Sequence, residues 1–151
     1  MIGRASALAA LLLAGASATH AGSYRLDDSL THTVPANVQM QWRPFVRGER
    51  DSGMEAWVRV NVRIETREWV GRPGQVYLVL DRDDTSAIEA EWTTEGRLLP
   101  GRIQSGERTL VYSGTLTTAT LEDQFVMRLR SLSDWRGNTR RLNFHFEFDT
   151  P

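Results

Sequence analysis

The acidic run "LDRDDTS" places Asp81, Asp83 and Asp84 at the end of an apolar stretch, and clusters of loop oxygens are what hard cations such as calcium take. The run lacks the glycine and the distal glutamate of a twelve-residue calcium loop, and Arg82 stands in its midst, so it reads as a solvated turn rather than a metal site. Glu122 and Asp123 in "TLEDQ" are carboxylates that could join these as an acid and base. Nothing in their spacing singles them out from other surface carboxylates. Of the histidines, His20 lies near the N-terminus, His32 lies in the irregular stretch "SLTHTVP", and His145 alternates with phenylalanines, which places it, solvated, on the polar face of a strand. No serine sits in a G-x-S-x-G elbow and no histidines stand at metal-ligand spacing. The chain has no cysteine, which removes thiol nucleophiles, thiolate metal sites and disulfide exchange. The expectation is a protein that is not an enzyme, with no catalytic residue, no metal and no cofactor.

Aromatic and apolar residues give a stronger signal for contact than for catalysis. Trp57, Trp69, Trp92 and Trp135 are spread along the chain. Trp57 begins "WVRVNVRIET" on the face opposite Val58, Val60, Val62 and Ile64. An exposed tryptophan there marks a contact surface, unless a loop or neighbouring strand covers it. The segment "EGRLLPGRIQSGERTLVYSG" mixes four glycines, a proline and three arginines with Leu98, Leu99 and Ile103. It reads as a long loop crossing between sheets with its leucines tucked beneath, or as a partner-binding edge. In both readings Leu98 and Leu99 stay out of open solvent. The candidate partner-binding residues are Trp57, Leu98, Leu99, Phe144, Phe146 and Phe148.

The elements that position these residues follow from a period of two, which puts alternate side chains on one face of a strand. "NVQMQW" places Val38, Met40 and Trp42 on one face until Pro44 ends the pairing. "WVRVNVRIET" alternates strictly. "QVYLVLD" follows the turn "GRPGQ", and "AIEAEWTT" sets Ile88, Ala90 and Trp92 against Glu89 and Glu91. "TLVYSGTL" and "DQFVMRLRS" come next, the latter with Phe125, Met127 and Leu129 inward. "SDWRGNT" predicts a hairpin through Gly137 and Asn138 into "RRLNFHFEFDTP", where Leu142, Phe144, Phe146 and Phe148 alternate with Asn143, His145 and Glu147. Seven strands and no sustained helical repeat predict an all-β fold, a single immunoglobulin-like antiparallel β-sandwich.

Length and composition bound the rest. The 151 residues suit one domain with one core. Residues 1–21 have the layout of a secretory signal peptide: Arg4, an apolar run from Ala5 to Ala14, then small residues with cut points after Ala18 or Ala21. That leaves 22–151 as the sandwich domain, and no later segment is long and apolar enough to span a bilayer. The formal charge is −1 and the signs are interspersed, so nucleic acid and acidic lipid find no basic field. All eighteen basic residues are arginine, which reads as codon bias rather than as eighteen recognition sites.

A cleaved signal, one sandwich of about 130 residues and a closing alternating strand such as "LNFHFEFDTP" together resemble the fimbrial subunits and adhesin-like domains of the bacterial chaperone and usher pathway. The resemblance implies a sandwich lacking one strand, which a neighbouring subunit or a periplasmic chaperone supplies beside the subunit's last strand. It implies a structural or adhesive role in a fimbria-like surface assembly, in the periplasm or at the surface of a Gram-negative bacterium, with other protein subunits or that chaperone as partners. Two features depart from the pattern: the cysteine pair of many such subunits is absent, and Asp28 and His32 interrupt the Tyr24, Leu26, Leu30, Val34 face of the leader. Two other readings stand beside it. One is a self-complete periplasmic binding or accessory module that presents a loop or tryptophan patch. The other is a small hydrolase using the Asp81 to Asp84 region.

Overall fold

A computed structural model describes residues 21–38, 40–42, 53–82, 88–131 and 142–151. Residues 1–20 of the expected signal peptide, Pro44, Asp83, Asp84, Trp135 and the "SDWRGNT" hairpin lie outside the described residues.

Two long strands carry the fold: β4 (Met54–Glu65) alternates without a break, and β9 (Thr120–Ser131) alternates apart from Asp123 on its inward side and Val126 on its outward side. The two run antiparallel over twelve residue pairs, from Met54 opposite Ser131 to Glu65 opposite Thr120. β6 (Ile88–Thr94) extends β9 on its other side, and β7 (Gly101–Gln104) extends β6. The free edge of β4 is taken by two short pieces, β2 (His32–Val34) and β3 (Gln41–Trp42). The second sheet holds β1 (Ser23–Arg25), β10 (Phe144–Asp149), β5 (Pro73–Leu80) and β8 (Arg108–Thr115), in that order and antiparallel throughout. From β4 onward the chain changes sheet at every connection except the β6–β7 hairpin. Six of the seven expected strands are present in this antiparallel sandwich, and the one expected over "NVQMQW" is represented by the two-residue β3. β1, β2 and β7 are additions, each only three or four residues long.

The inward residues of both sheets make one core. Val58, Val60, Val62, Ile64, Phe125, Met127, Leu129, Phe146 and Phe148 are all buried, as expected from their parity. Leu142 and Phe144 are corrected: they are only partly buried and pack against the margin of this cluster. Trp92 stacks on Phe125 with ring centroids 5.8 Å apart, while its indole N–H donates to the Leu99 carbonyl at 3.1 Å.

Both sides of the sandwich are drawn together by the chain itself. On one side the segment expected to be a long loop is instead β7, a turn through Gly106 at φ +85°, and β8 in the opposite sheet. Glycine meets that positive φ without a Cβ penalty. The Thr109 hydroxyl donates to the Arg102 carbonyl and the Leu99 N–H to the Val111 carbonyl, tying the strands at the corner. On the other side β1 lies on the outer edge of β10, with Ser23, Tyr24 and Arg25 opposite Asp149, Phe148 and Glu147. The Leu26 N–H then donates to the Phe146 carbonyl and the Glu65 N–H to the Asp27 carbonyl, so this strand steps from one sheet to the other. Leu26 is buried in the step, worth roughly 1.5–3 kcal/mol for such a side chain. Trp69, in a single 3-10 turn over Arg67–Trp69, closes the adjoining end between Tyr24 (4.6 Å) and Phe148 (5.1 Å).

Candidate functional site

The solvent-facing side of the larger sheet gathers the most distinctive exposed residues. Odd-numbered positions of β4 point outward because the even-numbered ones fill the core. Trp57 therefore stands on this face and is 60% exposed, with no loop or strand among the described residues covering it. Its indole N–H donates to a Glu55 carboxylate oxygen at 3.3 Å, and the Arg128 guanidinium lies 5.8 Å from the ring centroid. These two contacts hold a side chain that its surroundings leave open. The next residue pair along the sheet brings Val34 of β2 beside Arg59 of β4 and Val126 of β9. Trp57, Val34, Val58, Arg59 and Val126 enclose a shallow depression of about 240 Å³.

Charges on this face are mostly matched. The strands present Arg59, Arg63, Arg102, Arg128 and Arg130 together with Glu55, Glu65, Glu89, Glu91 and Glu122. Arg63 pairs with Glu122 at 3.3 Å, Arg102 with Glu89 at 3.5 Å, and Arg128 and Arg130 both approach Glu55, at 2.8 and 4.0 Å. Such exposed pairs contribute about 0–1 kcal/mol each, so their effect is to neutralise the face rather than to stabilise it. Arg59 differs. Among the described residues it has no carboxylate within ion-pair distance, and it is exposed beside the tryptophan.

Beyond Arg59 the face turns polar. The Gln124 amide donates to the Asn61 side-chain oxygen at 2.8 Å, and the Asn61 amide faces His32 Nε2 at 3.1 Å. His32 Nδ1 faces the Leu30 carbonyl at 3.2 Å. That network assigns the ring proton to Nδ1 and leaves Nε2 as an acceptor. This row across β2, β4 and β9 floors an open depression of about 700 Å³, whose rim carries Arg63, Glu95 and Glu122.

The outer side of the smaller sheet carries the one interlocked cluster of titratable groups among the described residues. His145 is not solvated as its parity suggested. It wedges between Asp81 (Nδ1 to Oδ1, 3.2 Å) and Glu147 (Nε2 to Oε1, 3.1 Å), with its side chain 14% exposed. Arg108 lies over the Tyr77 ring at 3.9 Å and bonds Asp149 at 2.8 Å, with Glu147 at 3.8 Å. Both histidine nitrogens face carboxylates, and no hydroxyl nucleophile bonds either one. Partial burial pushes the Asp28 carboxyl up, against the opposing pull of Arg25 and His145. Burial also pushes Asp149 up, but bonds from Arg108 and Ser23 and the Arg108 charge outweigh it and hold that carboxyl below the usual range.

The remaining sequence candidates separate. Leu98 is buried (3%), but Leu99 is 42% exposed, contrary to expectation. The turn between β6 and β7, held by the Asp123 carboxylate and the Thr94 hydroxyl, directs Leu98 into the core and leaves Leu99 outside. Phe146 and Phe148 are fully buried and offer no surface, whereas Phe144 reaches the margin of the sandwich. His32 lies in β2 rather than in irregular chain. Asp81 pairs with His145 instead of with Glu122 or Asp123, which sit on the other sheet. The Asp123 carboxylate caps the β6–β7 turn by accepting backbone N–H bonds from Glu95, Gly96, Leu98 and Gln124. Sequence reading missed Arg59, Asn61, Gln124 and Val126. Their outward parity was legible, but the register that sets them beside Trp57 and His32 was not.

No protein-family model, curated protein or solved structure matches the chain. Among the described residues, no histidine and carboxylate group forms a metal-binding set, and no helix is long and apolar enough to cross a membrane.

Proposed function

We propose that the chain is a self-complete exported binding module that presents the Trp57 face of its larger sheet to a ligand and carries no catalytic chemistry of its own. The observation that carries this reading is the edge of the last strand. Phe146 and Phe148 are fully buried, with β5 on one side of their strand, this chain's own β1 and the Leu26 N–H on the other, and Trp69 against the Phe148 ring. A sandwich awaiting a donated strand exposes core side chains and unpaired backbone at that place, at considerable cost. A complete one frees its sheet faces for contact. The test is to express the full chain without partners and measure its size and denaturant melt. A monomer with a cooperative transition supports the reading. Aggregation that a chaperone or an added strand peptide reverses overturns it.

One observation favours the second reading, a subunit of a fimbria-like surface assembly. β1 covers β10 in register only over Glu147 to Asp149, and among the described residues no strand pairs with Phe144 and His145 on that side. An open groove of about 360 Å³ runs there between Asp28, Ser29, Thr33, Ala36, Leu142 and Phe144. Another subunit's strand, or a chaperone's, added at this edge would extend the sheet by backbone bonds. The same experiment separates the two readings, because only the second needs a partner for solubility.

A further inference from the structure

We infer that the ligand of the Trp57 face is an anionic oligosaccharide, one sugar ring lying on the indole with its carboxylate on Arg59 and its neighbours along the Asn61–Gln124 row. The inference rests on the binding-module reading and names the chemistry that reading leaves open.

Four features of the face select this class. First, the Trp57 ring is 60% exposed on a flat sheet and is restrained by Glu55 and Arg128. The negative face of an aromatic ring attracts polarised C–H bonds, which a pyranose presents as a flat surface of matching size. Second, Arg59 lies two residues further along the same side of β4. It is the arginine of this face left without a carboxylate among the described residues, so a ligand carboxylate completes it as a charge-assisted bond. Third, the Asn61 and Gln124 amides bond each other through one oxygen and one N–H. Each amide has further donor or acceptor capacity for ligand hydroxyls. Fourth, the row Trp57, Arg59, Asn61, Arg63 spans about 20 Å at the rise of a strand, and both depressions lie along it. The site is an extended strip and suits a linear chain of rings.

Other occupants fit less well. Nucleic acid demands several free cations, whereas this face sets five arginines against five glutamates. A peptide adding as a strand needs a free edge, and β2 and β3 already occupy that of β4. A bilayer surface needs a broad apolar patch, and here two valines flank one tryptophan.

The test titrates the full chain with a xylo-oligosaccharide bearing one glucuronate, which matches the one arginine of this face left unpaired among the described residues, followed by tryptophan fluorescence and calorimetry, beside the neutral xylo-oligosaccharide of equal length. Saturable binding of the acidic oligomer is expected, weakening with salt and at least about tenfold tighter than that of the neutral one. Trp57→Ala is expected to weaken it about tenfold or more, and Arg59→Gln to weaken it about tenfold and flatten the salt dependence. Both positions are exposed, so unchanged melts confirm that the variants fold, and Trp57→Phe is expected to recover part of the loss. Three results overturn the inference: no saturable binding, equal binding of the two oligomers, or insensitivity to Arg59→Gln. A dimer that Trp57→Ala dissolves also overturns it, since the occupant is then a second copy. A stable monomer that ignores the glucuronate-bearing oligomer defeats this inference and leaves the binding-module reading intact. If the chain needs an added strand, that reading fails, and the same titration on the strand-rescued protein still decides the ligand.

Discussion

Replacing Asp123 tests whether one carboxylate builds the β6–β7 turn of the larger sheet. Its Oδ1 accepts from the N–H groups of Glu95 (3.2 Å), Gly96 (2.8 Å) and Gln124 (2.7 Å), and its Oδ2 from that of Leu98 (2.8 Å). A Cβ on Gly96 would sit 3.0 Å from the Asp123 Cγ, so the turn is wrapped tightly around the carboxylate. Hydrogen bonds to a charged group contribute about 1.5–3 kcal/mol when buried. Asp123 is half-buried, and water replaces part of what is lost. The bonds to Gly96 and Leu98 also hold Leu98 in the core, where its carbonyl accepts from the Thr94 hydroxyl at 2.8 Å. Asp123→Ala is therefore expected to cost about 2–3 kcal/mol, as the stronger helix-capping losses do. Asp123→Asn keeps the Oδ1 acceptor and loses the charge and the Leu98 bond, for a cost of about 1 kcal/mol. Urea denaturation measures both, with the midpoint moving and the slope constant. A loss below about 0.5 kcal/mol for the alanine variant would mean that the turn is set by its backbone alone, and the reasoning fails.

Phe146→Ala, at a fully buried position, is expected to cost about 3–5 kcal/mol in the same assay. Leu26→Ala is expected to cost about 2–4 kcal/mol although it follows a three-residue strand; a near-neutral result would detach β1 from the core. Asp149 has a folded pKa held low, so its contribution is present above the ordinary carboxylate range and is lost as pH falls through the folded value. Arg108→Gln should thus lower stability at pH 7, and its curve should converge with that of the parent on acidification. Asp28 has a raised folded pKa, so its contribution is present at low pH and is lost as pH rises through that value. Asp28→Asn should therefore melt higher than the parent at pH 7, and that gain should vanish below the carboxylate range.

The long strands were legible because β4 and β9 obey a period of two, with Val, Ile, Phe, Met and Leu at every inward position of their central stretch. β1, β2 and β7 were not, because three or four residues give no periodicity, and their residues sit among turn formers and charges. Their pairing is imposed by β10, β4 and β6, which are already in place. Trp57 shows the same division. Its parity said outward, and only the tertiary structure could say that no described residue lies over it. Arg59 was equally visible as an outward arginine, but its lack of a partner depends on which residues of β2 and β9 sit opposite. Those are Val34 and Val126, a matter of register. His145 was placed on the right face, but Asp81 and Glu147 reach it from β5 and from its own strand, a convergence that no spacing encodes.

The two outer faces of the sandwich differ in what they offer a ligand, and the binding site proposed above lies on the larger sheet. On the smaller sheet His145, Glu147, Arg108 and Asp149 are linked in a continuous chain of contacts, so a ligand bonding to these paired atoms must break protein bonds to make its own. On the larger sheet the ion pairs neutralise the surroundings but stop short of Arg59, and the neighbouring indole is held in place without being covered by any described residue. A ligand there displaces water and little else. Glu55 and Arg128 contact the ring proposed to receive it, so that ring is partly ordered before association. The β4–β9 ladder beneath keeps Trp57, Arg59 and Asn61 at fixed spacing. Selection among ligands would then rest on that spacing rather than on a loop that closes over the site.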